Sequence, residues 1–84
     1  MYSSACIVTD FNWITNIKDN EFGSYVKLRY RQPDQETVVS VIDDKTVKLT
    51  FKQKQKAVTI GQFAVLYSED GVCLGGGKIN ELLI

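Results

Sequence analysis

Two stretches of this 84-residue chain change polarity at every second residue, and that period constrains the fold more than any other feature. In "YVKLRYRQ" the apolar Val26, Leu28 and Tyr30 alternate with Lys27, Arg29 and Arg31; in "TVKLTFK" Val47, Leu49 and Phe51 alternate with Lys48, Thr50 and Lys52. Successive side chains of a strand point to opposite faces, so a period of two sends one set to a core and the other to water. Between these stretches, "ETVVSVI" is rich in β-branched residues, and Asp43-Asp44-Lys45 predicts a tight turn into the strand that follows. A second hairpin is predicted in "FAVLYSEDGVCLGGG", turning at Asp70-Gly71, and "ACIVT" predicts a first strand. No segment carries a convincing helical stripe. Short strands with turns roughly every 8 to 12 residues predict an all-β fold, a small antiparallel six-stranded β-barrel. That barrel occupies residues 1–84 as one domain, because a chain this short buries one modest core and leaves no cleft between lobes.

The segment "VCLGGGKI" at 72–79 approaches a nucleotide-binding loop and fails at both ends. The phosphate loop needs an opening glycine where this chain has Val72, and a hydroxyl residue after Gly-Lys where it has Ile79. Glycines inside a strand also permit a sharp bend or a close backbone approach at a barrel corner, and Gly75, Gly76 and Gly77 are read in that way. Pro33 falls just after the basic stretch, where it ends pairing without breaking a central ladder.

Enzymatic chemistry finds little to build on. The chain has no histidine to act as a base near neutral pH, no nucleophile elbow and no acidic pair spaced for a metal, so neither a catalytic set nor a metal site is expected. Asp43-Asp44 reads as a solvated turn. Cys6 and Cys73 are far apart, without Cys-x-x-Cys spacing, and are read as small core residues. Phe11 and Trp13 are read as a lid over one end of the core. No apolar run reaches the ~20 residues of a membrane span. No secretion signal is recognised at the N-terminus, so a cytoplasmic setting is expected.

Charge is balanced overall but segregated along the chain. Residues 27–56 carry eight of the ten cations and four of the ten acids, a surplus of four positive charges that the remaining residues offset. Such segregation gives a neutral protein one basic face that steers a polyanion. On a strand, Lys27, Arg29 and Arg31 would share one face at intervals of ~6.6 Å, beside Tyr30 and Gln32. Arginine suits phosphates and tyrosine stacks on an exposed base. The alternative is that alternating Lys and Arg only keeps a half-exposed strand soluble and guards its edge.

Four stretches decide between these readings: "NWI" at 12–14, "KLRYRQ" at 27–32, "AVTIGQFAVLY" at 57–67 and "VCLGGGKI" at 72–79. Together, in this order and spacing, they resemble the C-terminal β-barrel of the tRNA-specific 2-thiouridylase family. The resemblance implies an accessory barrel, similar to barrels of elongation factors, in an enzyme that places sulfur on the wobble uridine of tRNA. It also implies that the chemistry lies elsewhere: ATP and magnesium in an adenylating catalytic domain of the same polypeptide, a persulfide-carrying cysteine pair there, and a separate sulfur-donor protein. The barrel itself is then expected to hold no cofactor. By the same resemblance, tRNA contacts fall on Arg29 and Tyr30 of "RYRQ" and on Gln62 of "TIGQ", with Lys27, Arg31 and Gln32 as neighbours. Ile60 stands where the family commonly has proline, so that loop lacks the ring's restraint on φ. The competing expectation is a structural barrel that docks on the catalytic domain through an exposed strand edge and apolar loop residues.

Overall fold

The computed structural model describes residues 2–84 and consists of strands joined by turns and loops. The elements are β1 (Tyr2–Trp13), β2 (Glu21–Lys27), β3 (Gln35–Asp43), β4 (Thr46–Lys56), β5 (Phe63–Tyr67) and β6 (Cys73–Leu83). They close into a six-stranded antiparallel barrel in the order β1-β4-β3-β2-β5-β6. Both predicted hairpins are present, β3 to β4 through Asp44-Lys45 and β5 to β6 through residues 68–72, where Gly71 has φ 82°. Closure pairs β1 with both β4 and β6, so among the described residues no strand has a wholly unpaired side of the kind expected for a docking role. That edge is a correction: the residues that looked like an edge strand lie inside a closed ladder or in a loop.

Alternation fills the interior. Val47, Leu49 and Phe51 of β4 meet Val39 of β3, Val26 of β2, Leu66 of β5 and Cys6 and Val8 of β1 in one cluster. Phe11 is buried, and its ring lies 4.4 Å from that of Trp13, which in turn stands 6.3 Å from Phe22; the aromatic lid is as expected. Cys6 is buried among apolar side chains, which push its thiol up from 9.0 to about 12, while Cys73 is only half-buried.

The glycine run lies inside β6, where it crosses β1. A β-carbon on Gly75 would stand 2.4 Å from the Asn12 carbonyl oxygen, and one on Gly77 would stand 2.7 Å from that of Thr9. Gly75 also has φ 152°, a conformation that residues with a β-carbon rarely adopt. Opposite Gly77, β1 bends at Asp10, which has φ 53° and falls where the β1–β6 register shifts. The glycines thus let two backbones meet where a side chain would hold them apart.

Candidate nucleic-acid interface

Strand direction collects the loops at two ends. One end carries residues 28–34 and 57–62; the other carries 14–20, the β3–β4 turn and 68–72. Every residue implicated in RNA contact by sequence lies at the first end.

There the structure corrects the sequence in one respect. The basic stretch is not one continuous strand: β2 stops at Lys27, and Arg29, Tyr30, Arg31 and Gln32 form a turn closed by the Gln32 amide donating to the Arg29 carbonyl at 3.4 Å. The strand-face row of Lys27, Arg29 and Arg31 therefore does not exist. Val26 and Leu28 are buried as the alternation requires, but Tyr30 is 89 % exposed. The Leu28 carbonyl accepts from the side-chain amide of Gln62, where a continued strand would have a partner backbone. Pro33, which has no N–H to give to a ladder, lies beyond the turn and not at the strand's end.

Side chains hold the turn down from three directions. The Arg29 guanidinium donates to the carbonyl of Lys56, the last residue of β4. Gln62 bridges two loops, donating to the Leu28 carbonyl and accepting from the Thr59 amide at 3.1 Å. Gln32 donates at 3.2 Å to Gln55, which in turn donates to Gln35 at 3.0 Å and to the Gln53 carbonyl at 2.9 Å. Gln55 is 4 % exposed, so this glutamine chain is sheltered from water, and its bonds are worth more there than on a surface. The side-chain amide oxygen of Gln32, Oε1, is buried without a partner among the described residues.

The loop containing Ile60 is restrained by backbone bonds. Gly61 donates to the Ile79 carbonyl at 2.8 Å, and Ile79 donates to the Gln62 carbonyl at 2.9 Å, fastening the loop to β6. The chain leaves β4 through Ala57, a non-glycine residue with φ 59°. Ile60 and Phe63 remain exposed beside it.

The electrostatics of the two ends differ. Asp34 is the single carboxylate in the first pair of loops, which are flanked by Lys27, Lys54 and Lys56 as well as carrying Arg29 and Arg31. Among the described residues the one ion pair joins Lys52 to Glu36 at 3.1 Å, so none of those cations is neutralised by a carboxylate. The loops of the other end hold Asp19, Asp44, Glu69 and Asp70 against Lys18 and Lys45.

Reasoning from sequence singled out Arg29, Tyr30, Arg31 and Gln32, which the structure brings together in this turn, but did not single out Gln55, Lys54 or Lys56, which lie beside it. "KQKQK" at 52–56 reads as a solvated run, and nothing in it marks Gln55 as turned inward.

Elsewhere, a shallow concavity of about 640 Å³ on the outer face of β2, β3 and β4 is opened by Gly23 and bordered by Tyr25, Glu36 and Lys52; it gathers no nucleophile with a base. Among the described residues no cluster of His, Cys, Asp and Glu could hold a metal. The directions in which Gly75, Gly76 and Gly77 could admit a phosphate are filled by Asn12, Phe63 and Thr9, so the site does not fit a nucleotide. Among the described residues no helix is long and apolar enough to cross a membrane.

Comparison with known proteins adds a lineage. The family model described as the aminomethyltransferase beta-barrel domain matches residues 3–79. The chain is similar to the tRNA-specific 2-thiouridylase MnmA of Mycoplasma capricolum subsp. capricolum, with 46 % identity covering 99 % of this chain and 23 % of the relative. It is 43 % identical to the protein of that name from Mycoplasma mycoides subsp. mycoides, over 99 % of this chain and 23 % of the relative. For the one from Oceanobacillus iheyensis the identity is 42 %, over 99 % of this chain and 22 % of the relative. The chain thus spans under a quarter of the length of the curated relatives it matches.

Proposed function

Because the chain belongs to the aminomethyltransferase beta-barrel domain family and corresponds to the C-terminal barrel of tRNA-specific 2-thiouridylases, we propose that it holds tRNA for an enzyme that thiolates the wobble uridine. The carrying observation is the turn at Arg29–Gln32. Tyr30 stands almost wholly in solvent on a backbone clamped by Arg29, Gln62 and Gln32, an aromatic side chain whose backbone is held in place before a base arrives. Preorganisation of this kind lowers the ordering cost of binding. Arg29 keeps N–H groups beyond the one given to Lys56 and offers them to a phosphate, and Lys27 and Arg31 add charge nearby. Gln62 contributes by holding the turn and presents its remaining amide hydrogen to RNA. Backbone contacts of this sort fix position and register and carry no sequence information directly.

In this reading residues 1–84 are one accessory domain that performs no catalysis and binds no cofactor. ATP and magnesium act in the catalytic domain of the complete polypeptide, a sulfur-donor protein supplies that domain, and the setting is cytoplasmic. A second reading, docking on the catalytic domain without RNA contact, is favoured by Ile14, Ile42 and Val72, which are exposed toward the opposite end. Salt distinguishes the two, since phosphate contacts weaken steeply with ionic strength and apolar docking does not. The test is tRNA binding by this chain at low and moderate salt, compared with its Arg29→Ala/Tyr30→Ala variant. Salt-sensitive binding weakened by the double change supports the proposal; equal binding by both, or none at ~100 μM where even non-specific affinity shows, overturns it.

A further inference from the structure

We infer that Lys54 and Lys56, at the end of β4, are phosphate-binding residues that extend the RNA surface beyond the Arg29–Gln32 turn. This rests on the reading of that end as the RNA-binding one. Three observations carry it.

The first is direction. Gln55 points into the protein, 4 % exposed and bonded to Gln32 and Gln35. Neighbouring residues of a strand point the opposite way, so Lys54 and Lys56 leave the barrel on its outer side, and both are exposed. The second is adjacency. The turn is tied to these same residues of β4, through Gln32 to Gln55 and through the Arg29 guanidinium to the Lys56 carbonyl. The backbone that carries the two lysines is therefore tied by hydrogen bonds to the turn that carries Arg29, although Arg29 and Lys56 lie 27 positions apart. The third is unneutralised charge. The neighbouring Lys52 has Glu36 as its partner, whereas Lys54, Lys56 and Arg29 have no carboxylate partner among the described residues. Like charges gathered in this way repel one another in the free protein and are relieved by a bound polyanion.

The structural arrangement suits a phosphate backbone that passes Tyr30 and runs on across the end of β4. Lysine acts there as a flexible point charge, without the planar fork of Arg29.

The test measures the affinity of this chain for a tRNA transcript from 50 to 200 mM salt. Each phosphate contact adds roughly 0.7–0.9 to the slope of log affinity against log salt. Lys54→Gln/Lys56→Gln is expected to lower the slope by about 1.5, so that the unaltered protein's advantage over the variant shrinks about tenfold across that range. Lys54→Arg/Lys56→Arg keeps the slope, and Lys45→Gln, at the opposite end, leaves it unchanged. A retained slope in the double glutamine variant, with binding still weakened by Arg29→Ala/Tyr30→Ala, overturns this inference and leaves the proposed function standing. An equal loss of slope per charge for Lys45→Gln also overturns it, because the effect is then one of net charge. Absence of salt-sensitive binding by the unaltered chain overturns the proposed function and this inference together.

Discussion

The seam between β1 and β6 and the clamp under the Arg29–Gln32 turn are both tightly held, by opposite means. At the seam, backbone meets backbone because side chains are missing: Gly75 and Gly77 bring β6 against the Asn12 and Thr9 carbonyls. At the clamp, backbone is held away from backbone by long amide side chains, with Gln55 buried between Gln32 and Gln35. Steric contact admits no added atom and offers a partner nothing to bind. A polar scaffold leaves its outward neighbours free, so the clamp can carry exposed Tyr30 and lysines without loosening. The seam thus serves packing alone, whereas the buried Gln55 holds a turn whose outward neighbours stay exposed.

The largest expected effect tests the seam. Gly75→Ala places a carbon against the Asn12 carbonyl at a positive φ, which costs about 3 kcal/mol or more in urea unfolding. The part of the protein that stays folded binds tRNA as before; a midpoint unchanged by the substitution would refute the steric account. Next is Cys6, on β1 between Leu49 and Leu82. Its thiol is raised from 9.0 to about 12 by burial, so the unfolded state loses the proton first. Its contribution is complete below pH 9 and declines as pH rises toward 12. Cys6→Val should flatten that decline in melting temperature, and identical profiles for the two proteins would contradict the assignment.

Gln55→Leu probes the clamp. It strands the amides of Gln32 and Gln35, costs about 1–3 kcal/mol, and weakens tRNA binding by releasing the turn. In an Arg29→Ala/Tyr30→Ala background it should cause no further loss of binding; additive losses would show that Gln55 acts independently of the turn. The smallest effect on stability belongs to Tyr30→Ala, below about 0.5 kcal/mol, because the side chain is 89 % exposed. Its binding defect, roughly 5- to 150-fold if one base stacks there, measures how far recognition is separated from folding.

The architecture was legible because period-two alternation and turn residues are local. Val47, Leu49 and Phe51 point inward as their spacing requires, and Asp44-Lys45 turns the chain. The glycine run announced a close approach without naming what approaches. The end that carries the Arg29–Gln32 turn was legible only in part. Alternation in "YVKLRYRQ" outlasts the strand by five residues, since nothing within it records that Gln62, far along the chain, takes the Leu28 carbonyl. Gln55 escaped notice for the same reason. Its burial depends on Gln32 and Gln35, and a glutamine between lysines looks like surface.

Closure of the barrel also sets an order of assembly. Ala5 is aligned with Leu83 and Cys6 with Leu82, so β1 completes its pairing only with nearly the last residues of the chain. β1 can pair with β4 first, through Val8 and Val47, and must then wait with its other edge open until β6 arrives. Contacts so distant in sequence are slow to form, and an open edge is the surface on which nascent chains aggregate. During synthesis from the N-terminus, the moment of greatest exposure therefore falls just before β6 emerges, when five strands exist and the seam does not.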